Sequence, residues 1–160
     1  MRGMRRKDRE VTDLEQLQDI LDQCQVLRVG GQDEEGMFIV PVNFGYVLDD
    51  GKLTLYFHSA HQGRKADAFQ KGGSVAFEMD CGFELKPAQA ACSFSCAYSS
   101  IMGNGVIRLV QDPEEKVLGL NRVMAQLTGR EWDFPEAAVK QTAVFAIEAD
   151  HWTGKANRKD

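Results

Sequence analysis

Long apolar runs are missing from this sequence. No stretch approaches the ~20 residues that a helix needs to cross a bilayer, so no membrane association is expected. Cysteine is scarce as well. Cys24, Cys81, Cys92 and Cys96 are too few for a disulfide scaffold in a chain of 160 residues. The N-terminus is basic but no apolar segment follows it, so it does not read as a secretory signal. The cysteines are therefore expected to be reduced thiols, and the protein cytoplasmic. There is no excess of positive charge. The net charge of -5 argues against a nucleic-acid partner. Only three histidines occur, His58, His61 and His151, with no HExxH and no paired CxxC, so no metal site is expected. The phosphate-loop pattern and the Gly-x-Ser-x-Gly elbow are also lacking. Gly103-Asn104-Gly105 leads into strand-like sequence rather than a helix, which excludes a dinucleotide fingerprint there.

What remains has the composition of one globular domain spanning 1–160, with 1–10 as a basic, solvated leader. Hydrophobic residues make up 43%, enough for a real core. Thr12 and Glu15 suggest a capping box, followed by the stripe Leu14, Leu17, Leu21 and Cys24. The period then changes to two. Leu27 and Val29 begin a strand, Asp33 to Gly36 makes a turn, and Phe38, Val40, Val42, Phe44 and Tyr46 share one face of a long strand. Asp50-Gly51 is a hairpin signal. Leu53, Leu55 and Phe57 alternate on the next strand, and a short helix is predicted around 61–71. Val75, Phe77 and Met79 alternate again. Residues 82–92 lack a period and read as a loop. Strand character returns from Phe94 to Val110, with a bend or bulge at Gly103-Asn104-Gly105. Asp112-Pro113-Glu114-Glu115 starts a helix that Gly129 ends, and Ala143 to Ala149 is a final strand. The pattern predicts a mainly β fold with flanking helices (α+β). About six antiparallel strands would close into a small barrel.

Three stretches could carry chemistry. In Phe57-His58-Ser59-Ala60-His61-Gln62-Gly63-Arg64-Lys65, a strand ends and a helix begins beside two cations, an arrangement that suits a phosphate. An ordinary helix cap with surface cations explains it equally well. In Pro41-Val42-Asn43-Phe44, the proline argues for an edge or bulge, and the isolated amide could meet a polar ring edge. An Asn capping a loop explains this stretch too. Tyr98-Ser99-Ser100 near the glycines at 103 and 105 offers hydroxyls to a ligand or simply to solvent.

The ordered set Val40-Pro-Val-Asn-Phe-Gly-Tyr46, Leu55-Tyr-Phe-His-Ser-Ala60 with Gly63-Arg-Lys65, Val75-Ala-Phe-Glu-Met-Asp80, Tyr98-Ser-Ser-Ile-Met-Gly-Asn-Gly105 and Thr153-Gly-Lys155 resembles the pyridoxamine 5′-phosphate oxidase-related, FMN-binding split-barrel proteins. Within them it is most similar to the nitroimidazole-resistance subgroup. The resemblance implies a split β-barrel homodimer with FMN at the subunit interface and a small-molecule substrate. It implies that His58, Ser59, Arg64 and Lys65 hold the phosphate, with Phe57, Ala60 and Gly63 also at the cofactor, and that Val42, Asn43 and Phe44 lie along the ring. Tyr98, Ser99 and Ser100 would approach the flavin, and Trp152 and Lys155 would reach the partner's cofactor. Relatives often carry a basic residue near position 99, where this chain has Ser99-Ser100, which places more of the phosphate charge on Arg64 and Lys65. The implied activity is an FMN-dependent oxidoreductase, with His58 as the candidate catalytic residue. The alternative is a non-catalytic flavin- or haem-binding protein or sensor of the same fold.

Overall fold

Local signals set most element boundaries in the computed structural model, which describes residues 3–158. Met1 and Arg2 of the expected leader lie outside the described residues. The chain forms β1 (Glu10–Val11), α1 (Leu14–Gln23), β2 (Leu27–Asp33), β3 (Gly36–Val42), β4 (Gly45–Asp49) and β5 (Lys52–Ser59). It continues through α2 (Arg64–Gln70), β6 (Gly73–Lys86), β7 (Ser95–Leu109), α3 (Pro113–Thr128), α4 (Glu136–Gln141) and β8 (Ala143–Asn157). Asp112 caps α3 by accepting a hydrogen bond from the Glu115 amide at 2.8 Å, and Gly129 ends it in the left-handed region. For α1 the cap is Asp13, one residue later than the capping-box reading of Thr12; its carboxylate accepts from the Gln16 amide at 3.0 Å. None of these helices is long and apolar enough to cross a membrane.

The strands form one antiparallel sheet in the order β3-β2-β6-β7-β8-β5-β4, with β1 pairing the far end of β8. The fold is mainly β with flanking helices, as expected, but with eight strands rather than about six. β1 is only two residues long, and the single strand predicted over 37–46 is two, broken at Asn43-Phe44. The barrel is not closed. β3 and β4 are the two edges of the sheet and share no ladder. Yet only Asn43 and Phe44 separate them, a span of about 10 Å at full extension. The sheet must therefore curl until its edges nearly meet, which makes a split barrel.

Two stretches without a readable period turn out to be strand. Residues 82–86 continue β6 beyond a bulge at Gly82-Phe83, and Gly82, Phe83, Glu84 and Leu85 are all exposed, so no alternation marks them. β8 runs on to Asn157 because the register shifts opposite Asn104 and Gly105. That shift changes the parity of the inward positions, from Ile147 and Ala149 to Trp152.

The barrel interior holds Leu27, Val29, Leu53, Leu55, Phe77, Met79, Ile101 and Ile147. One end is plugged by Leu17, Ile20 and Leu21 of α1, while Leu14 stays exposed. The other end is plugged by Phe69 of α2, which packs edge-on against Phe57 and Phe145. Outside, α3 and α4 cover the β4, β5 and β8 portion of the sheet with Leu120 and Val139 over Tyr56, Val144 and Ala146. Contact there is so close that a Cβ on Gly45 would overlap the Arg122 carbonyl of α3. Gly45→Ala is expected to destabilise the fold by ~1–3 kcal/mol or more, seen as a lower midpoint in urea unfolding; an unchanged midpoint would show that α3 yields freely.

The outer face of β3, β2, β6 and β7 has no such cover. Met37 and Ile39 on β3 are 84% and 71% exposed, and Met102 and Val106 on β7 are exposed as well. Met37 and Ile39, with Gly30, Ala76 and Asn104, border an open concavity of about 840 Å³.

Candidate functional site

β5 places the first group. Its alternation points Phe57 inward, where it stacks on Phe145 with ring centroids 5.3 Å apart, and points His58 outward. His58 opens onto a small apolar pocket of about 210 Å³ walled by Leu120, Met124 and Phe134. Partial burial, and then the charge of Lys65, hold its pKa below the usual imidazole value. Both effects favour the neutral form of the ring. The Ser59 hydroxyl donates to the Ala60 carbonyl at 2.6 Å. Gly63, at φ +105°, supplies the backbone turn into α2 that a side chain would disfavour.

The two cations differ. Arg64 grips Asp33 in bidentate fashion, Nε and Nη2 donating at 2.7 and 2.8 Å, lies 3.7 Å from Glu35 and sits over the Phe38 ring. The guanidinium in turn holds the Asp33 carboxyl below the usual range. Lys65 makes no ion pair among the described residues. One of the two cations expected at a phosphate is thus already engaged and the other is free.

The second group sits at the corner between the sheet edges. The Val42 and Phe44 side chains are buried in the core, so only their backbone and Asn43 face outward. Asn43 donates to the Gln25 carbonyl at 3.3 Å. Gly45 pairs with Tyr56, so the corner lies beside the end of β5 that carries Phe57 and His58. Pro41 is on edge strand β3, as its missing donor requires.

The third group is elsewhere. Tyr98, Ser99 and Ser100 pair with Asn157, Ala156 and Lys155. The Lys155 ammonium lies 5.7 Å from the Tyr98 ring centroid. Burial alone would raise the Tyr98 pKa, but Lys155 and Arg9 beside the hydroxyl lower it. The Trp152 indole donates to the Gly51 carbonyl at 3.3 Å and so fastens the β4–β5 hairpin. His58 stands opposite Val144 on β8, and Lys155 is eleven residues further along that strand. At ~3.3 Å per residue the two are roughly 35 Å apart along the strand. The first two groups come together in one chain, and the third does not join them.

Sequence reasoning did not find Asp33 as the partner of Arg64, and local patterning holds no signal for it. The exposed face at Met37 and Ile39 was signalled, since apolar residues occupy both alternating sets between 37 and 42.

The profile of a family described as pyridoxamine 5′-phosphate oxidase matches residues 13–156. Among solved structures, a putative 5-nitroimidazole antibiotic resistance protein from Bacteroides thetaiotaomicron is 31% identical, covering 92% of this chain and 86% of that one, with a TM-score of 0.77. The flavocytochrome Anf3 from Azotobacter vinelandii is 22% identical over 98% of this chain and 73% of its own, at TM-score 0.77. A FAD and heme binding protein from Mycobacterium smegmatis is 19% identical over 95% and 76%, also at 0.77. The latter two likenesses concern the fold. No curated protein matches the chain.

Proposed function

Because the chain belongs to the pyridoxamine 5′-phosphate oxidase family, with nitroimidazole-resistance proteins among its relatives, we propose that it is an FMN-dependent oxidoreductase. It would take electrons from a reduced nicotinamide and pass them to a small planar acceptor such as a nitroaromatic. The observation that carries this reading is a mismatch. The residues expected to hold one flavin lie at two separated places in the chain, next to a broad apolar face that nothing covers among the described residues. A second copy seated on the β3-β2-β6-β7 face resolves both facts. It buries Met37 and Ile39, and it brings the Tyr98 and Lys155 segment of one copy to the His58 and Lys65 corner of the other. The assembly is then a homodimer with a cleft for a ring at each end of the interface.

The residues present fit the group. Lys65 has its charge free for a phosphate, and Arg64 can share itself between a phosphate and Asp33. Asn43 at the edge corner can both donate to and accept from a pyrimidine edge. The apolar face excludes water from the ring. FMN, when bound, supplies the two-electron chemistry. His58, whose surroundings favour its neutral form, holds a hydrogen bond to ligand or substrate rather than a charge, and is suited to move a proton. A second reading, a non-catalytic flavin or haem binder, is favoured by the same apolar pocket before a neutral imidazole.

The test is the visible spectrum of the purified full chain, before and after adding FMN. Flavin absorption that co-elutes with protein is expected. A colourless protein that takes up no FMN would overturn the reading. Oxidation of NADH or NADPH with a nitroaromatic acceptor then separates enzyme from binder, since a binder gives no turnover.

A further inference from the structure

A further cavity, of about 340 Å³, opens between α1, β4 and α3 and shares no lining residue with the pocket before His58. Gln18, Asp22, Tyr46, Leu48, Arg122 and Gln126 line it. Arg122 is its unusual member. Arg28, Arg64 and Arg108 each hold carboxylates. The Arg122 guanidinium, half-buried, meets no hydrogen-bond acceptor and no carboxylate among the described residues, and its Nε is covered without a partner. A partly buried donor group left without a partner carries a desolvation cost that an incoming anion would offset. Nor can the residue easily retreat, because its backbone abuts Gly45.

The opposite charge lines the same space. Asp22 accepts the Tyr46 hydroxyl at 2.6 Å. Burial, and then this bond, push the Tyr46 pKa up, so the hydroxyl stays a donor. Asp22 and Arg122 nevertheless form no ion pair with each other. The walls are held in place by the Gln126 amide, which donates to the carbonyls of Leu21 at 2.8 Å and Cys24 at 2.9 Å and so ties the end of α1 to α3. A fixed cation and a fixed anion facing one small cavity without collapsing onto each other complement a ligand that carries both charges. A simple carboxylate would meet Arg122 but be repelled by Asp22, and a simple amine would meet the reverse.

We propose that this cavity binds a small zwitterion of the amino-acid class, with its carboxylate on Arg122 and its ammonium on Asp22. The site shares no residue with the proposed flavin site, so its success or failure is read separately from the oxidoreductase reading.

The experiment is an amide-resolved NMR titration of the full chain with L-alanine, propionate and ethylamine, the last two being the same skeleton with one charged group removed. L-alanine is expected to shift the amides of Asp22, Tyr46, Leu48 and Arg122 in a saturable way. Propionate and ethylamine should bind roughly tenfold more weakly or worse. Arg122→Gln, which removes a group that makes no bond in the fold, should abolish saturation. Asp22→Asn, which still accepts from Tyr46, should do the same, and it carries the test if Arg122→Gln fails to fold. No saturable shift at these amides, or propionate binding as well as L-alanine, overturns the proposal.

Discussion

With Arg64 and Lys65 both replaced by alanine, FMN affinity is expected to fall by roughly a hundredfold or more, since each charge-assisted contact to an anion is worth about tenfold or better. The single variants should not contribute equally. Lys65 has no competing partner among the described residues and can give its whole charge to a phosphate. Arg64 already shares both arms of its fork with Asp33, so its gain at the phosphate is offset by what it relaxes elsewhere. Lys65→Ala should therefore cost more than Arg64→Ala, and Asp33→Asn, which frees Arg64, should tighten binding. The Arg64 side chain of the Arg64–Asp33 pair is 42% exposed, so losing the pair should leave the fold intact. Quenching of flavin fluorescence gives the affinities. Equal affinity in the parent and the double variant would remove the phosphate from this corner.

A charge on the bare face should have an even plainer effect. Met37→Asp combined with Ile39→Asp places two carboxylates where the proposed second copy sits. Neither side chain belongs to the core, so each chain should stay folded by circular dichroism. Burying the new charges against an apolar partner would be prohibitive, so the dimer should give way to monomer in light scattering, and bound flavin should be lost with it. A variant that stays dimeric and yellow would mean that another surface joins the copies.

How much of this could be read from the sequence depended on the range of the cause. The β4–β5 hairpin was legible because Asp50 and Gly51 are a pair that readily adopts the turn's positive φ, here 46° and 80°. Both ends of α3 were legible because caps act within one helical turn. The position of Pro41 on an edge followed from one missing donor. What stayed hidden depends on distant partners. The break at Asn43-Phe44 keeps its apolar alternation, since Val42 and Phe44 both still face the core. β8 was cut short because a bulge against β7 changes parity halfway along. The engagement of Arg64 by Asp33 and the isolation of Arg122 are contacts, or the lack of them, between elements far apart in the chain. Of the residues expected at the flavin, His58 and Asn43 face outward and Lys65 is partly exposed, while the burial of Val42 and Phe44 inside the barrel was not legible.

The place of β8 in the ladder bears on how the protein is made. Strands β5 and β7 are both complete well before residues 143–157 leave the ribosome, yet both need β8 between them. Until then each carries an unpaired edge open to other nascent chains. Assembly of the barrel is thus a late, long-range event, and the interval before it is when chaperone protection would matter most to this chain.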